Sequence, residues 1–197
     1  RCWRLLSWVD GETIERVGAP GQAAAAAALL GRFHAALADI DHRFRPARPA
    51  AHDLERHRGV LSQALAEHPG HRAHAAVAGL ATDIGALAGP PVAPGPPRVC
   101  HGDPKITNVI FAPSLAEARC LVDLDTAGPA AVAFELADAL RSWCNPAGED
   151  SADTRFDAGI AALVLSAWAP PVHGIITAAE WQAIPAATVQ ICLALAA

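Results

Sequence analysis

Apolar residues recur at helical spacing along most of the chain. Leu30, Phe33 and Leu37 fall on one face of the segment 22–37, and its run of six alanines also favours a helix. The same spacing predicts further helices over residues 53–67, 72–87, 131–143 and 160–168. The chain is therefore predicted to be mostly helical.

The end of the chain carries two helix-start signals. Thr177 and Glu180 have the spacing of a capping box, in which each side chain bonds the backbone of the other, so a short helix should begin there. Pro185 is favourable at a first helical position and predicts the start of a separate helix.

Short apolar runs alternate with polar loops in the middle of the chain. Residues 99–100, 109–111 and 120–122 are such runs, which predicts short β-strands that carry a site. Residues 2–9 (CWRLLSWV) indicate a further short, buried strand that ends at the Asp10-Gly11 turn.

Composition narrows the function classes. With 197 residues, 52% of them hydrophobic, the chain suits one domain or a large lobe of one. A net charge of −5 gives no electrostatic footprint for nucleic acid, so no nucleic-acid partner is expected. The five cysteines form no CxxC pair, which favours reduced thiols and a cytoplasmic location. The longest apolar run, residues 23–30, is too short for a bilayer, so no membrane partner is expected.

Candidate chemistry lies in residues 101–108 (HGDPKITN) and 121–125 (LVDLD). Asp103 precedes Asn108 by five residues, the separation of the base and the metal-binding amide in a protein-kinase catalytic loop. Asp123 follows fifteen residues after Asn108. Phosphoryl transfer needs a carboxylate to take the proton of the acceptor hydroxyl, and oxygen ligands for the Mg²⁺ that bridges the nucleotide phosphates. The pattern therefore predicts use of ATP and Mg²⁺.

Lys105 is the sole lysine and stands two residues after the candidate base. A kinase normally holds the nucleotide phosphates with a lysine on a strand of its N-terminal lobe. No such lysine, no GxGxxG and no methionine occur here. We therefore expect a chain cut short at both ends, without its N-terminal nucleotide-binding lobe and inactive on its own.

Three segments carry a resemblance to a known family. CHGDPKITNVIFAP, CLVDLDTAGP and FELADALRSW resemble the aminoglycoside phosphotransferase and choline kinase superfamily. WRLLSWVDGETI is similar to its hinge strand, and GRFHAAL to its first long helix. The resemblance implies an α+β, protein-kinase-like fold in which residues 1–9 are a hinge strand and residues 10–197 are the C-terminal lobe, truncated at its C-terminus.

The resemblance also implies roles for single residues. Asp103 would be the catalytic base, and Asn108 and Asp123 would bind Mg²⁺. Lys105 would neutralise charge on the transferred phosphoryl group, and His101 would pack behind the loop and hold it by hydrogen bonds. The adenine pocket would be lined by backbone groups of Ser7, Trp8 and Val9.

Two further polar residues are candidate substrate contacts. Asp125 would touch substrate or metal, with an ordinary hairpin-turn aspartate as the alternative. Arg141 would face the substrate, unless it pairs with Asp138 three residues earlier on the same helix. Glu135 stands where many family members carry Asp, which leaves their structural contact at this helix open.

The substrate class follows only from resemblance. LVDLDT followed by ADALR is most similar to the N-acetylhexosamine 1-kinase branch, so a hydroxyl of a sugar or amino sugar is the expected acceptor. Choline, ethanolamine or an aminoglycoside are alternatives. A non-catalytic binding module with a kinase fold is the alternative from a different class.

Overall fold

A computed structural model describes residues 5–44, 53–93, 95–148, 151 and 153–197. The helices of this part are α1 (Pro20–Ala36), α2 (Leu54–Glu67), α3 (His74–Leu87), α4 (Val132–Trp143), α5 (Ala158–Trp168) and α6 (Ala178–Ala196). The strands are β1 (Arg98–Cys100), β2 (Val109–Phe111), β3 (Ala118–Leu121) and β4 (Gly128–Ala130). The predicted α+β class is confirmed.

The four strands form two antiparallel pairs that carry the loops of interest. β1 pairs with β4, and β2 pairs with β3, so that Val109 lies opposite Leu121. Glu12 adds a bridge to β2, because its N–H donates to the Phe111 carbonyl at 2.9 Å and its carbonyl accepts the Phe111 N–H at 2.8 Å. The polar loops therefore project from short but paired strands.

Small residues let α1 approach α5 closely. Ala23, Ala26 and Ala27 are fully buried on the inner face of α1. Gly31 continues this face, since a methyl group there would lie 2.9 Å from the Trp168 carbonyl oxygen. Close contact without long side chains gains dispersion energy at little cost in side-chain entropy.

Helix α4 crosses the centre of the core. It packs on α6 and buries Leu136, Leu140 and Trp143, which are at most 3% exposed. A fully buried side chain of this size stabilises the fold by roughly 1.5–3 kcal/mol. A smaller cluster of Leu54, Ile84, Leu193 and Ala194 joins the α2–α3 pair to α6.

The end of the chain differs from its prediction in one respect. Thr177 and Glu180 form the predicted capping box. The predicted new helix at Pro185 is wrong, because α6 runs through it without interruption. A proline inside a helix forfeits one backbone hydrogen bond, and burial of Ile184, Ala187 and Ile191 offsets that loss.

The predicted buried strand over residues 2–9 is also wrong where it is described. Residues 5–9 are irregular, and Leu5, Leu6 and Trp8 are 79–100% exposed. Residues 1–4 lie outside the described part. An apolar run becomes a strand only when another strand satisfies its backbone, and residues 5–9 have no such pairing among the described residues.

Within the described part of the chain, no helix combines the length and the apolar character needed to cross a bilayer.

Candidate functional site

The loop between β1 and β2 folds around Asp103. Asp103 is 7% exposed. Its backbone carbonyl accepts hydrogen bonds from the Lys105 N–H at 2.8 Å and from Asn108 Nδ2 at 2.9 Å. Lys105 Nζ lies 3.3 Å from Asp103 Oδ2. A short 3₁₀ turn, Ile106–Asn108, closes the loop. The structure therefore brings these three predicted residues together.

Asp123 is placed beside this loop by the β2–β3 pair. The Val122 N–H donates to the Asn108 carbonyl at 2.9 Å, so Asp123 follows directly after the residue bonded to Asn108. Asp123 is exposed and has φ of +63°, a left-handed conformation that is uncommon for a residue with a side chain. Backbone strain of this kind clusters at functional sites.

These residues suit a hard divalent cation. Asn108 uses its amide nitrogen for the Asp103 carbonyl, which leaves the amide oxygen available as a ligand. The Asp123 carboxylate is accessible. An amide oxygen and a carboxylate are the donors that Mg²⁺ prefers.

His101 joins the loop to the neighbouring hairpin. Its ring is fully buried, and Nε2 donates to the Val122 carbonyl at 2.8 Å. Its carbonyl accepts the Thr126 hydroxyl at 2.8 Å. His101 Nδ1 has no hydrogen-bond partner among the described residues. The side chain thus lies behind the loop, where it fixes the distance between the two acidic segments.

Gly102 is required by close packing. Its φ is +84°, and a methyl group there would lie 2.5 Å from the Thr126 carbonyl oxygen. Only glycine tolerates both the left-handed backbone and the contact. The two turns that carry Asp103 and Asp123 can therefore approach each other closely.

Glu135 is the main residue that the sequence interpretation left undecided. Its two carboxylate oxygens accept the backbone N–H groups of His101 at 2.7 Å and Gly102 at 2.9 Å. Burial raises the pKa of Glu135, but bonds from His34, Gly102 and His101 outweigh that effect and hold the pKa below its ordinary value. A glutamate in the apolar sequence VAFELADAL was the available signal.

Glu135 also belongs to a buried group that resembles a metal site. Ligand atoms of His34, Cys100 and Glu135 lie within 4.8 Å of one another. However, His34 Nδ1 accepts the Trp168 indole N–H at 3.0 Å, so Nε2 must carry the proton that faces Glu135. Burial also raises the pKa of the Cys100 thiol well above its usual range. Each of the three side chains has a hydrogen-bond partner, since the Cys100 thiol also donates to the Ala130 carbonyl at 3.7 Å.

The remaining candidates lie apart from this network or have structural partners. Ser7 and Trp8 are exposed and Val9 is half-buried, in a segment whose end is held by the Arg119 side chain bonded to the Asp10 carbonyl at 2.8 Å. No hydrogen bond joins them to this loop within the described part of the chain.

The two candidate substrate contacts have different surroundings. Asp125 is exposed in the 3₁₀ turn Leu124–Thr126. Arg141 Nε and Nη2 each lie 2.9 Å from Asp138 Oδ1, so the helical ion pair that was an open alternative is formed.

Comparison with known proteins gave a family match and a similar solved structure. The family model described as the phosphotransferase enzyme family matches residues 1–171. A solved structure, the crystal structure of aminoglycoside-3'-phosphotransferase of type VIII, is similar with a TM-score of 0.50 and 19% identity. The similarity covers 93% of this chain and 66% of that one, so the chain spans about two thirds of that protein's length. At this identity the likeness establishes the fold, which is kinase-like. Because the family match extends over most of its residues, the chain belongs to the phosphotransferase enzyme family.

Proposed function

We propose that the protein containing this chain transfers the γ-phosphoryl group of ATP to a hydroxyl of a small polar molecule. One observation carries the proposal: a single loop holds the Asp103 carboxylate, Lys105 and the Asn108 amide together, and its Asn108 carbonyl is bonded to Val122, the residue directly before Asp123. Phosphoryl transfer depends on positioning and charge stabilisation, and this loop supplies groups for both.

Each residue has a proposed task. Asp103 orients the acceptor hydroxyl and takes its proton as the oxygen attacks phosphorus. Lys105 lies 3.3 Å from that carboxylate and offsets charge on the transferred group. Asn108 and Asp123 would hold Mg²⁺, which would supply positive charge to offset the nucleotide phosphates. His101 keeps the two acidic segments in register through the Val122 carbonyl.

The proposal includes the division of the chain. Residues 1–9 would serve as the hinge segment and residues 10–197 as the C-terminal lobe, with Ser7, Trp8 and Val9 offering backbone groups to adenine. The side chains of Leu5, Leu6 and Trp8 in this segment are exposed, so they are accessible to a contacting lobe or partner. A cytoplasmic location with reduced thiols fits the four cysteines of the described part, all of which are free.

The proposed acceptor is a sugar or amino sugar. This choice rests on LVDLDT and ADALR, which resemble the N-acetylhexosamine 1-kinase branch. The solved neighbour, an aminoglycoside-3'-phosphotransferase, makes an aminoglycoside hydroxyl the second candidate. Asp125 is kept as a candidate contact to the acceptor, whereas Arg141 is occupied by Asp138. A non-catalytic module is disfavoured, since base, lysine and both metal ligands are all present.

The test is Asp103→Asn in the full natural protein, assayed with labelled ATP against sugars, aminoglycosides, choline and ethanolamine. Turnover should fall about 10²- to 10⁴-fold, the usual contribution of a general base, while ATP binding by calorimetry persists. Asp83→Asn, on the exposed face of α3, is the matched control and should leave turnover unchanged. Near-normal turnover in Asp103→Asn would refute the assignment of the base. Preference for choline would move the protein to the choline kinase branch.

A further inference from the structure

Buried polar side chains form a continuous path from α5 to the catalytic loop. Trp168 Nε1 donates to His34 Nδ1 at 3.0 Å, and His34 Nε2 lies 3.4 Å from Glu135 Oε1. Glu135 accepts the backbone N–H groups of His101 and Gly102, the two residues that precede the candidate base. The Trp168, His34 and Glu135 residues are 0–4% exposed, so water does not compete with these bonds.

The path has a defined proton arrangement. Trp168 Nε1 can only donate, so His34 Nδ1 must offer its lone pair. The single proton of the neutral imidazole is then on Nε2, where it faces the Glu135 carboxylate. A doubly protonated His34 would place an N–H against the indole N–H. The tryptophan therefore selects one tautomer, and that tautomer is the one able to donate to Glu135.

We propose that His34 and Trp168 are positioning residues for phosphoryl transfer, acting through Glu135 on the backbone before Asp103. The inference rests on the proposed function, because the position of this backbone affects catalysis only if Asp103 is the base. Glu135 must hold two peptide N–H groups at once, and a third bond on Oε1 restrains the rotation of its carboxylate. Misplacement of a reacting group by about 1 Å can lower turnover about 10²-fold.

The matched variants separate this role from core packing. His34→Gln keeps a donor and an acceptor at similar reach, whereas His34→Leu fills space and removes both. Trp168→Phe removes one hydrogen bond and some volume. Trp143→Phe is its control, since Trp143 is equally buried but its Nε1 has no hydrogen-bond partner among the described residues.

The first measurement does not depend on activity. Amide hydrogen exchange at His101 and Gly102, compared with amides elsewhere in the core, should accelerate selectively in His34→Leu and Trp168→Phe. It should remain close to wild type in His34→Gln and Trp143→Phe. In the wild-type protein, imidazole nitrogen chemical shifts should show a proton on His34 Nε2 and a bare Nδ1. Uniform acceleration of all core amides in His34→Leu and Trp168→Phe, or a proton on Nδ1, would overturn the inference.

The second measurement is kinetic and uses the full natural protein. His34→Leu should lower kcat roughly 10- to 100-fold with little change in the KM for the acceptor. His34→Gln should recover most of the loss, and Trp168→Phe should lose more than Trp143→Phe. If His34→Leu does not fold, the tryptophan pair decides the matter. Unchanged kcat in Trp168→Phe and His34→Leu would reject the positioning role while leaving Asp103 as the base. Full activity in Asp103→Asn would reject the proposed role of Asp103 as the base but not the exchange result.

Discussion

Glu135 Oε2 lies 2.9 Å from the backbone nitrogen of Gly102, a residue 33 positions earlier in the sequence. The other carboxylate oxygen bonds the preceding N–H at 2.7 Å. The first turn of α4 thereby satisfies the N–H groups of a buried residue, His101, and a half-buried one, Gly102, neither of which belongs to a strand or helix. Such donors would otherwise cost free energy as the loop folds.

Loss of this carboxylate should destabilise the protein strongly. Glu135→Ala leaves the N–H groups of buried His101 and half-buried Gly102 without this acceptor, so we expect a loss of about 3–5 kcal/mol in the free energy of unfolding. Denaturant unfolding followed by tryptophan fluorescence measures it. Glu117→Ala, an exposed change in the β2–β3 turn, should stay within about 0.5 kcal/mol of wild type. Similar effects of the two changes would contradict the bonding role.

Glycine substitutions should have opposite effects at two positions. Gly102→Ala places a methyl group 2.5 Å from the Thr126 carbonyl oxygen at a φ of +84°, and should destabilise the fold by about 2 kcal/mol or more and lower turnover. Gly79→Ala, inside α3 with no described atom near its added methyl group, should stabilise by about 0.5–1 kcal/mol. Thermal unfolding of both variants tests the pair, and a neutral Gly102→Ala would contradict the close approach.

Acid stability should depend on the Arg98–Glu180 ion pair, which ties β1 to α6 through bonds of 2.5 and 2.8 Å. Burial raises the pKa of Glu180, but bonds from Arg98 and Thr177 more than offset this and lower it to about 2. The folded pKa lies below the ordinary value of 4.5, so the carboxylate stabilises the fold above that pH. This contribution is lost as pH falls from 4.5 towards 2.

Unfolding measured between pH 7 and 2.5 should therefore show a shallower acid decline in Glu180→Gln, which is less stable at neutral pH. Glu55→Gln is the control, because the Glu55–Arg58 pair has the same charges but is exposed. An unchanged acid decline in Glu180→Gln would show that the pair does not control it.

The two proposed metal ligands should differ in how strongly their loss raises the Mg²⁺ requirement. Asn108→Ala and Asp123→Ala should each raise the Mg²⁺ concentration that gives half-maximal turnover in the full natural protein, with the larger effect from Asp123. A carboxylate brings a full charge to a hard cation, whereas an amide brings a dipole. Magnesium titrations that match wild type in both variants would rule out the metal roles, and a larger effect of Asn108→Ala would reverse the ranking alone.

Local patterns predicted the helices well. The segments predicted over 53–67 and 131–143 differ by one residue from α2 and α4, because apolar spacing and caps lie within a few residues of each other. β4 was missed, since Gly128–Ala130 contains a proline and no apolar alternation and becomes a strand by pairing with β1. The strand predicted at residues 5–9 is the opposite error. Their sequence is apolar, but they have no strand to pair with in the described part.

Sequence spacing identified the loop residues, but it did not identify the buried residues that hold the loop in place. Asp103, Lys105 and Asn108 lie within six positions, so a motif contains them. His34 is 101 positions from Glu135 and 134 from Trp168. No local pattern encodes such contacts, because they depend on how three helices pack.

The alanine run of α1 gives these contacts an unusual vulnerability. Six identical residues carry no information about which of them faces inward, so the rotational setting of α1 depends on what lies at the end of the run. Deleting any one alanine from 23–28 yields the same shortened sequence, with an equally good helix. Yet every residue beyond the gap turns by about 100° about the helix axis relative to the start of α1. Either Pro20 and Gln22 lose their place at the helix start, or His34 swings away from Trp168 and Glu135. Deletion of one alanine hardly changes the composition or the helix propensity of α1, yet it should be as harmful as loss of the His34 side chain.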